Sequence, residues 1–537
     1  MKKLIVSCLL MLAGVIHSEA QNAKVHVVIH HGSSKNYIYI TQRLPTPQFF
    51  DKDYQVDEQS QTKKTTLEFT LKQPLSVTLY YSVQKGRSLS KSYNLYLRPG
   101  DDITLTADLQ KPQNTIVVTG KGSENNQFLE TTGDVDDEKI YGDTLPNRII
   151  ALINKQAAIN RKQLQTYIAR YHPSADFIKK QQYEVIYFAA EDYFGFKENN
   201  KFGIQKAYAR NKALWQKVQD SLFITAGNQT RQLNKQLLAK TSLDINSISG
   251  IERGAILKQQ NNDEALVATN YRSLLRSLLV RVKENLWNEA EENPDQFYRE
   301  WYQTDKENGE KLFKDDRQNL LKEKIIKAYF KGQTAEFLYE VLLNQAKDES
   351  DPKNIPVIFN RFKEQYPQSN FIGTYEPYVA EIIKKDKSPL TDKMIFTAGN
   401  GTKLQKLDEV LALTKGKTVL VDMWGTWCGP CRQEIEKNSA AIKEHFKDKG
   451  LNYLYVANYD TGNQDNWKKL IAYFHLEGTH ILASESLSDD IMKKVNGHGY
   501  PTYFIIKKDG SYEISKAGYP MKREVLVKQL EEALAMK

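Results

Sequence analysis

The sequence predicts a multidomain chain with an N-terminal antiparallel β domain, a middle all-α domain and a C-terminal α/β domain. Three observations carry this. Apolar residues alternate with a period of two from Ala23 to about Gly122, and the period lengthens to between three and four after Ser123. Beyond Asp386-Lys387-Ser388-Pro389, segments of strand and helix pattern alternate. A chain of 537 residues is too long for one hydrophobic core. With 40% hydrophobic and 26% charged residues it reads as a soluble globular protein and not as a disordered one.

Residues 1–20 read as a signal peptide outside the fold. Lys2 and Lys3 supply a positive start, residues 4–16 are an apolar run, and Ser18-Glu19-Ala20 offers small residues for cleavage after Ala20. Ile5-Val6-Ser7-Cys8 superficially resembles a lipoprotein box. Cutting there would leave an apolar region of about four residues, short of the 7–15 a signal needs, so lipidation at Cys8 is disfavoured. No later stretch reaches about 18 apolar residues, so the chain is expected to be exported and not membrane-spanning.

Residues 21–122 read as a β-sandwich-like domain. Val25, Val27 and Ile29 alternate with other side chains, as do Leu67, Phe69 and Leu71, then Val77, Leu79 and Tyr81. Arg98-Pro99-Gly100-Asp101 is a turn signal, Ile103, Leu105 and Ala107 resume the alternation, and Gly120-Lys121-Gly122 closes it.

Residues 123–385 read as a helical domain. Ile149, Leu152 and Ile153 share a helical face, as do Phe177, Tyr183, Tyr187 and Phe188 after Pro173-Ser174. Further helices are expected over 271–287, 311–330 and 334–345, with no clean repeat period. The aromatic faces read as core.

Residues 390–537 read as the α/β domain. Strands are expected at 418–423, 452–457, 502–507 and 512–516, and helices at 432–447, 465–474, 488–495 and 522–536.

Trp427-Cys428-Gly429-Pro430-Cys431 lies where the apolar strand Val419-Leu420-Val421 gives way to an amphipathic helix. A thiolate there meets unpaired N–H groups and the positive end of the helix dipole, which favour its charged form. Cys428, expected to be the more exposed, is the candidate nucleophile, and Cys431, one turn in, the resolving thiol. Once the leader is removed these are the two remaining cysteines, so no structural disulfide framework competes. The competing reading is zinc, which usually needs four ligands. There is no second pair, and His445, His475, His480 and His498 lack ligand spacing, so no metal is expected. The formal charge of +9 is spread thinly, with no dense basic block, which argues against nucleic acid.

The run Val421-Asp422-Met423-Trp424-Gly425-Thr426-Trp427-Cys428-Gly429-Pro430-Cys431 resembles the active-site strand and loop of thioredoxin, and Tyr500-Pro501-Thr502 resembles that family's cis-proline segment. The resemblance implies a thioredoxin fold and a reversible Cys428–Cys431 disulfide with no further cofactor. It implies that Asp422 is a buried proton acceptor or donor for Cys431, that Pro501 sits beside the disulfide, and that the Tyr500 backbone pairs with substrate. Trp427, Gly429 and Pro430 would complete the substrate-binding surface. The extra segment at 460–487 is similar to the insertion of exported reductases of the TlpA/ResA type. Several of those carry a tuning Glu in the insertion; here Thr461-Gly462-Asn463 holds the place, with Asp460 and Asp465 nearby. The whole layout is similar to large periplasmic reductases of Bacteroidetes-type bacteria.

The resemblance and the Gly-Pro spacer imply a periplasmic disulfide reductase acting on protein or small thiol and disulfide substrates and fed by a membrane thiol donor. Three alternatives stand beside it. One is a disulfide-forming oxidase. Another is a partner-binding, chaperone-like protein with an accessory redox domain. The third, a thiol peroxidase, is disfavoured because Gly425 and Val421 stand where a peroxiredoxin has Thr or Ser and Pro.

Overall fold

The computed structural model describes residues 20–31, 38–42, 48–50, 55–57, 62–85, 87–108, 116–127, 145–200, 210–234, 257–258 and 260–536. The expected leader, apart from Ala20, and Cys8 lie outside them. The chain forms two compact units, Met1–Leu278 and Leu279–Lys537, divided inside the helix Thr269–Glu292.

Among the described residues the first unit opens with nine strands: β1 (Gln21–His30), β2 (Ile38–Gln42), β3 (Gln48–Phe50), β4 (Gln55–Asp57), β5 (Thr62–Leu71), β6 (Leu75–Lys85), β7 (Arg87–Leu97), β8 (Asp102–Asp108) and β9 (Val117–Lys121). They make two sheets, ordered β4-β5-β1-β8-β9 and β3-β2-β6-β7. Period-two alternation sends Val25, Val27, Leu67, Phe69, Ile103 and Leu105 of one sheet into a core shared with Leu79, Leu95 and Leu97 of the other. Each such side chain contributes about 1.5–3 kcal/mol of burial.

One pairing departs from the antiparallel expectation. β1 and β8 run parallel, with Val25 opposite Ile103. The chain passes through the second sheet between them, and that long connection permits a parallel return. The turn at residues 98–101 forms as its composition requires. Asp101 Oδ2 accepts from the Arg98 N–H at 2.7 Å, and Gly100 takes φ +78°.

Helices follow: α1 (Pro146–Tyr171), α2 (Ala175–Asn200), α3 (Lys212–Asn234) and α4 (Thr269–Glu292). Pro146 opens α1 at a position that needs no N–H, and His172 closes it in the left-handed region just before Pro173. Glu184 accepts from the Thr269 and Asn270 N–H groups, so a side chain of α2 satisfies the free start of α4.

In the second unit come α5 (Pro294–Tyr302), α6 (Lys306–Asp316), α7 (Asn319–Tyr329), α8 (Gly332–Asp348), α9 (Ile355–Gln365) and α10 (Phe371–Lys385). The single helix expected over 311–330 is two, broken at Arg317-Gln318. Side chains of α4 compensate the break: Trp287 Nε1 donates to the Arg317 carbonyl at 2.7 Å and Lys283 to Gln318 at 2.8 Å.

The rest of this unit is a six-stranded sheet with helices: β10 (Met394–Phe396), α11 (Leu407–Leu413), β11 (Thr418–Trp424), α12 (Gly429–Glu434), α13 (Ala440–His445), β12 (Leu451–Ala457), α14 (Gln464–Tyr473), β13 (Gly478–Leu482), α15 (Glu485–Lys494), β14 (Thr502–Ile506), β15 (Tyr512–Ile514) and α16 (Arg523–Ala535). The strand order is β10-β13-β12-β11-β14-β15, with β11 parallel to β12 and antiparallel to β14. β10, α11 and β13 go beyond the elements expected from the sequence. β11 is buried along its whole length, as a central strand covered on both faces requires. Val419, Val421 and Met423 enter one core layer, while Leu420 enters the other with Ile442, Phe446, Leu526 and Leu530.

Candidate active site

Strand β11 delivers the chain to the site. Its alternation puts Asp422 on the same face as Leu420, the face covered by α13 and α16. Asp422 is 5% exposed, and its Oδ1 has no hydrogen-bond partner among the described residues. Burial, and secondarily the nearby Glu434 carboxylate, push its pKa up to about 8. Asp422 is therefore a sealed carboxyl group and not a solvated carboxylate at a strand end.

After Trp424 the loop 425–428 turns into α12. An added Cβ at Gly425 would sit 2.5 Å from the Trp427 indole nitrogen, so that indole can fold back only over a glycine. Asp460 holds the loop from one side, accepting from the Thr426 N–H at 2.7 Å and from its hydroxyl at 2.5 Å. Burial raises the Asp460 pKa against these hydrogen bonds. Arg432 holds it from the other side, donating from Nη1 to the Thr426 carbonyl at 2.6 Å.

Cys428 and Cys431 form a disulfide with Cα atoms 5.3 Å apart. Cys428 is the N-cap of α12, and its sulfur accepts from the Cys431 N–H at 3.2 Å. Gly429 and Pro430 are the first two helical residues, where a missing proline N–H costs nothing. In this oxidised form both cysteines are buried, at 3% and 0% exposure, so exposure hardly separates them; the N-cap position distinguishes Cys428. The helix expected from 432 starts at Gly429 and runs on through a π turn at residues 435–439 into α13. Such turns recur at functional sites.

The Tyr500–Pro501 peptide is cis. The Tyr500 ring packs edge-on against Trp427 at 5.7 Å, and Tyr459 lies 6.2 Å from both. Trp427 and Tyr459 are each 51% exposed, and Trp427 Nε1 donates to the Asn458 carbonyl at 2.8 Å. The redox loop and the 500–501 segment thus meet at a half-open aromatic rim.

Glu434, Arg432, Asn458 and Tyr459 were not singled out from the sequence. Glu434 lies three positions after Cys431, is 5% exposed, and accepts from Asn438 at 2.7 Å and from the Met521 N–H at 3.2 Å. Its helical spacing from Cys431 was the available signal. Arg432, 5% exposed, also donates to the Ser350 and Glu349 carbonyls at 3.0 and 3.2 Å, with Asp351 4.0 Å away. Among the described residues no group of three or more His, Cys, Asp or Glu could hold a metal ion, and no helix is long and apolar enough to cross a membrane.

The Redoxin family model matches residues 395–534. The thiol-disulfide oxidoreductase ResA of Bacillus cereus is 26% identical over 160 residues, covering 30% of this chain and 83% of that protein. The thioredoxin-like protein YneN of Bacillus subtilis is 33% identical over 113 residues, covering 21% of this chain and 62% of YneN. Among solved structures, the thioredoxin domain of a thiol-disulfide oxidoreductase from Bacteroides vulgatus is 25% identical, covering 23% of this chain and 82% of that one, with a TM-score of 0.19.

The C-terminal part of this chain is a thioredoxin-like thiol–disulfide oxidoreductase domain. Within that class it is similar to the ResA thiol-disulfide oxidoreductases.

Proposed function

We propose that the chain is an exported disulfide reductase with Cys428 as nucleophile. The observation that supports this best is the Cys428–Cys431 pair at the head of α12, with Cys428 as N-cap. A thiolate there gains from the helix N-terminus, and the Gly429-Pro430 spacer suits a reducing poise.

In the reduced protein the Cys428 thiolate attacks one sulfur of a substrate disulfide. The Cys428–substrate bond forms as the substrate S–S bond breaks, and the first substrate thiolate leaves and takes up a proton. Cys431, deprotonated by Asp422, then attacks the Cys428 sulfur and expels the second substrate thiol. Two electrons pass to the substrate, and Cys428–Cys431 is left as the disulfide. A dithiol donor, in our reading a membrane thiol carrier, restores it. Trp427, Gly429, Pro430, Tyr500 and Pro501 form the surface that receives the substrate.

Residues 1–20 are read as the leader, which places the mature chain in the periplasm. Residues 21–122 and 123–385 are read as a β domain and a helical domain that select what the 390–537 domain reduces. For the helical residues that share a compact unit with the redox domain, that role is supported by the hydrogen bonds of Arg432 to residues 349 and 350, which fasten the redox helix to them.

The test is reduction of insulin by the mature chain with dithiothreitol as electron source. The wild type should shorten the lag before insulin precipitates, and Cys428→Ser should not. A wild type no faster than dithiothreitol alone would overturn the reading. N-terminal sequencing of the periplasmic fraction should begin at Gln21.

A further inference from the structure

A cleft of about 750 Å³ opens beside the redox loop. That is within the range of cavities that hold a ligand and large enough for a short stretch of peptide. One wall carries Trp287, Lys314 and Arg317 of the helical region, and the other carries Trp427, Tyr459 and Asn463 of the redox domain. All of these belong to the same compact unit.

Both walls are held in place. Trp287 is fixed by its bond to the Arg317 carbonyl and lies under Lys283 and Arg317, at 4.5 and 5.5 Å from ring centre to charge. Trp427 is fixed by the Asn458 carbonyl. Lys314 reaches across and donates to the Gly462 carbonyl at 2.7 Å. A site already ordered loses less freedom when it binds.

The charges around the cleft do not cancel. Lys469 pairs with Asp386 at 3.2 Å and Arg432 lies 4.0 Å from Asp351, while Asp460 and Lys353 also line the cleft. Lys314 and Arg317 are exposed, and among the described residues neither forms an ion pair with a carboxylate. With five basic side chains and three carboxylates lining the cleft, Lys314 and Arg317 leave the wall of the helical region positive beside Trp427, the residue next to Cys428.

We propose that this cleft is a substrate-selecting subsite that binds an extended acidic segment flanking the cystine of a protein substrate. The carboxylates would meet Lys314 and Arg317, and apolar side chains would lie between Trp287 and Trp427. The proposal rests on the reductase reading, and it makes the helical region a direct contributor to specificity.

The experiment uses two peptides with the same internal cystine, one flanked by Asp and Glu and one by Lys, assayed with the full mature chain. The acidic peptide should show about tenfold higher kcat/KM, an advantage that shrinks as salt is raised. The double variant K314E/R317E should invert the order, and Lys314→Gln with Arg317→Gln should abolish the preference. A variant that merely folds badly lowers both rates and leaves their ratio unchanged, so the ratio is the readout. Equal rates for the two peptides in the wild type would overturn the proposal. So would an acidic preference that survives the charge reversal.

Should the wild type reduce neither peptide, the reductase reading fails, and the cleft is tested separately. A cysteine-free acidic peptide should quench the Trp fluorescence of the oxidised wild type at concentrations where its Lys counterpart does not. Absence of that difference contradicts the proposal. Full competition by glutathione disulfide at equal concentration would also contradict it, by indicating a site for a small anion instead of a peptide.

Discussion

Arg432 donates from Nε to the Ser350 carbonyl at 3.0 Å, fastening the helix that bears the cysteines to the turn that ends α8. The same guanidinium also binds the Glu349 and Thr426 carbonyls, so one buried cation joins that turn to the redox loop. Gln433, the next residue, adds a bond to the Asp348 carbonyl at 2.5 Å. Arg432→Met would leave three carbonyls without their donor. We expect a loss of about 3 kcal/mol in urea unfolding. Arg432→Lys should recover only part of it, because an ammonium lacks the planar fork that reaches three acceptors. Unchanged unfolding midpoints would contradict this view of the contact.

Asp422 gives a pH signature. In the oxidised protein its pKa is about 8, against an ordinary value of 3.8. Between those values the folded chain holds a proton that the unfolded chain has released. Its contribution to stability is therefore complete below about pH 4, declines as the pH rises, and is lost once the pH passes about 8. Asp422→Asn removes that decline. The stability gap between variant and wild type, measured by urea unfolding of the oxidised proteins, should widen from pH 5 to pH 8 and level off by pH 9. Parallel curves would count against a buried, protonated Asp422.

Asp460 is the loop's other anchor. Asp460→Ala leaves the Thr426 N–H and hydroxyl without their acceptor and should cost about 1–3 kcal/mol. Asp460→Asn should cost less, because its amide oxygen can still accept one of the two bonds. Thermal unfolding of the three proteins side by side checks this order.

The two cysteines should separate chemically. Cys431→Ser retains the attacking thiol but cannot resolve the mixed disulfide, so it should accumulate a covalent adduct with a protein substrate, visible by intact mass. Cys428→Ser should form none. The opposite pattern would reverse the assigned roles.

Much of the redox domain was legible because its signals are local. The alternation around Asp422 set which face it occupies, and Cys428-Gly429-Pro430-Cys431 carried both the helix start and the chemistry. Strand β13 was missed because His480 sits in its middle and breaks the apolar pattern. It is buried, its Nε2 bonds the Leu476 carbonyl, and its ring stacks on Tyr455 at 5.1 Å. Burial lowers the His480 pKa to about 4, so it stays neutral in the sheet. The break between α6 and α7 was missed because what compensates it is a Trp side chain some thirty residues earlier in the chain. Arg432 was not singled out because its partners are backbone carbonyls, which leave no trace in residue identity. The parallel β1–β8 pair was hidden for a related reason: alternation gives the buried face of a strand but not the direction of its neighbour.

Everything proposed for this chain turns on Cys428–Cys431 passing electrons to substrates. The reduction potential of the pair decides that, measured by equilibration with dithiothreitol or glutathione and read from the fluorescence of Trp424 and Trp427. A value near −270 mV is expected of a reductase. A value near −120 mV would contradict the reductase reading and make the chain a donor of disulfides.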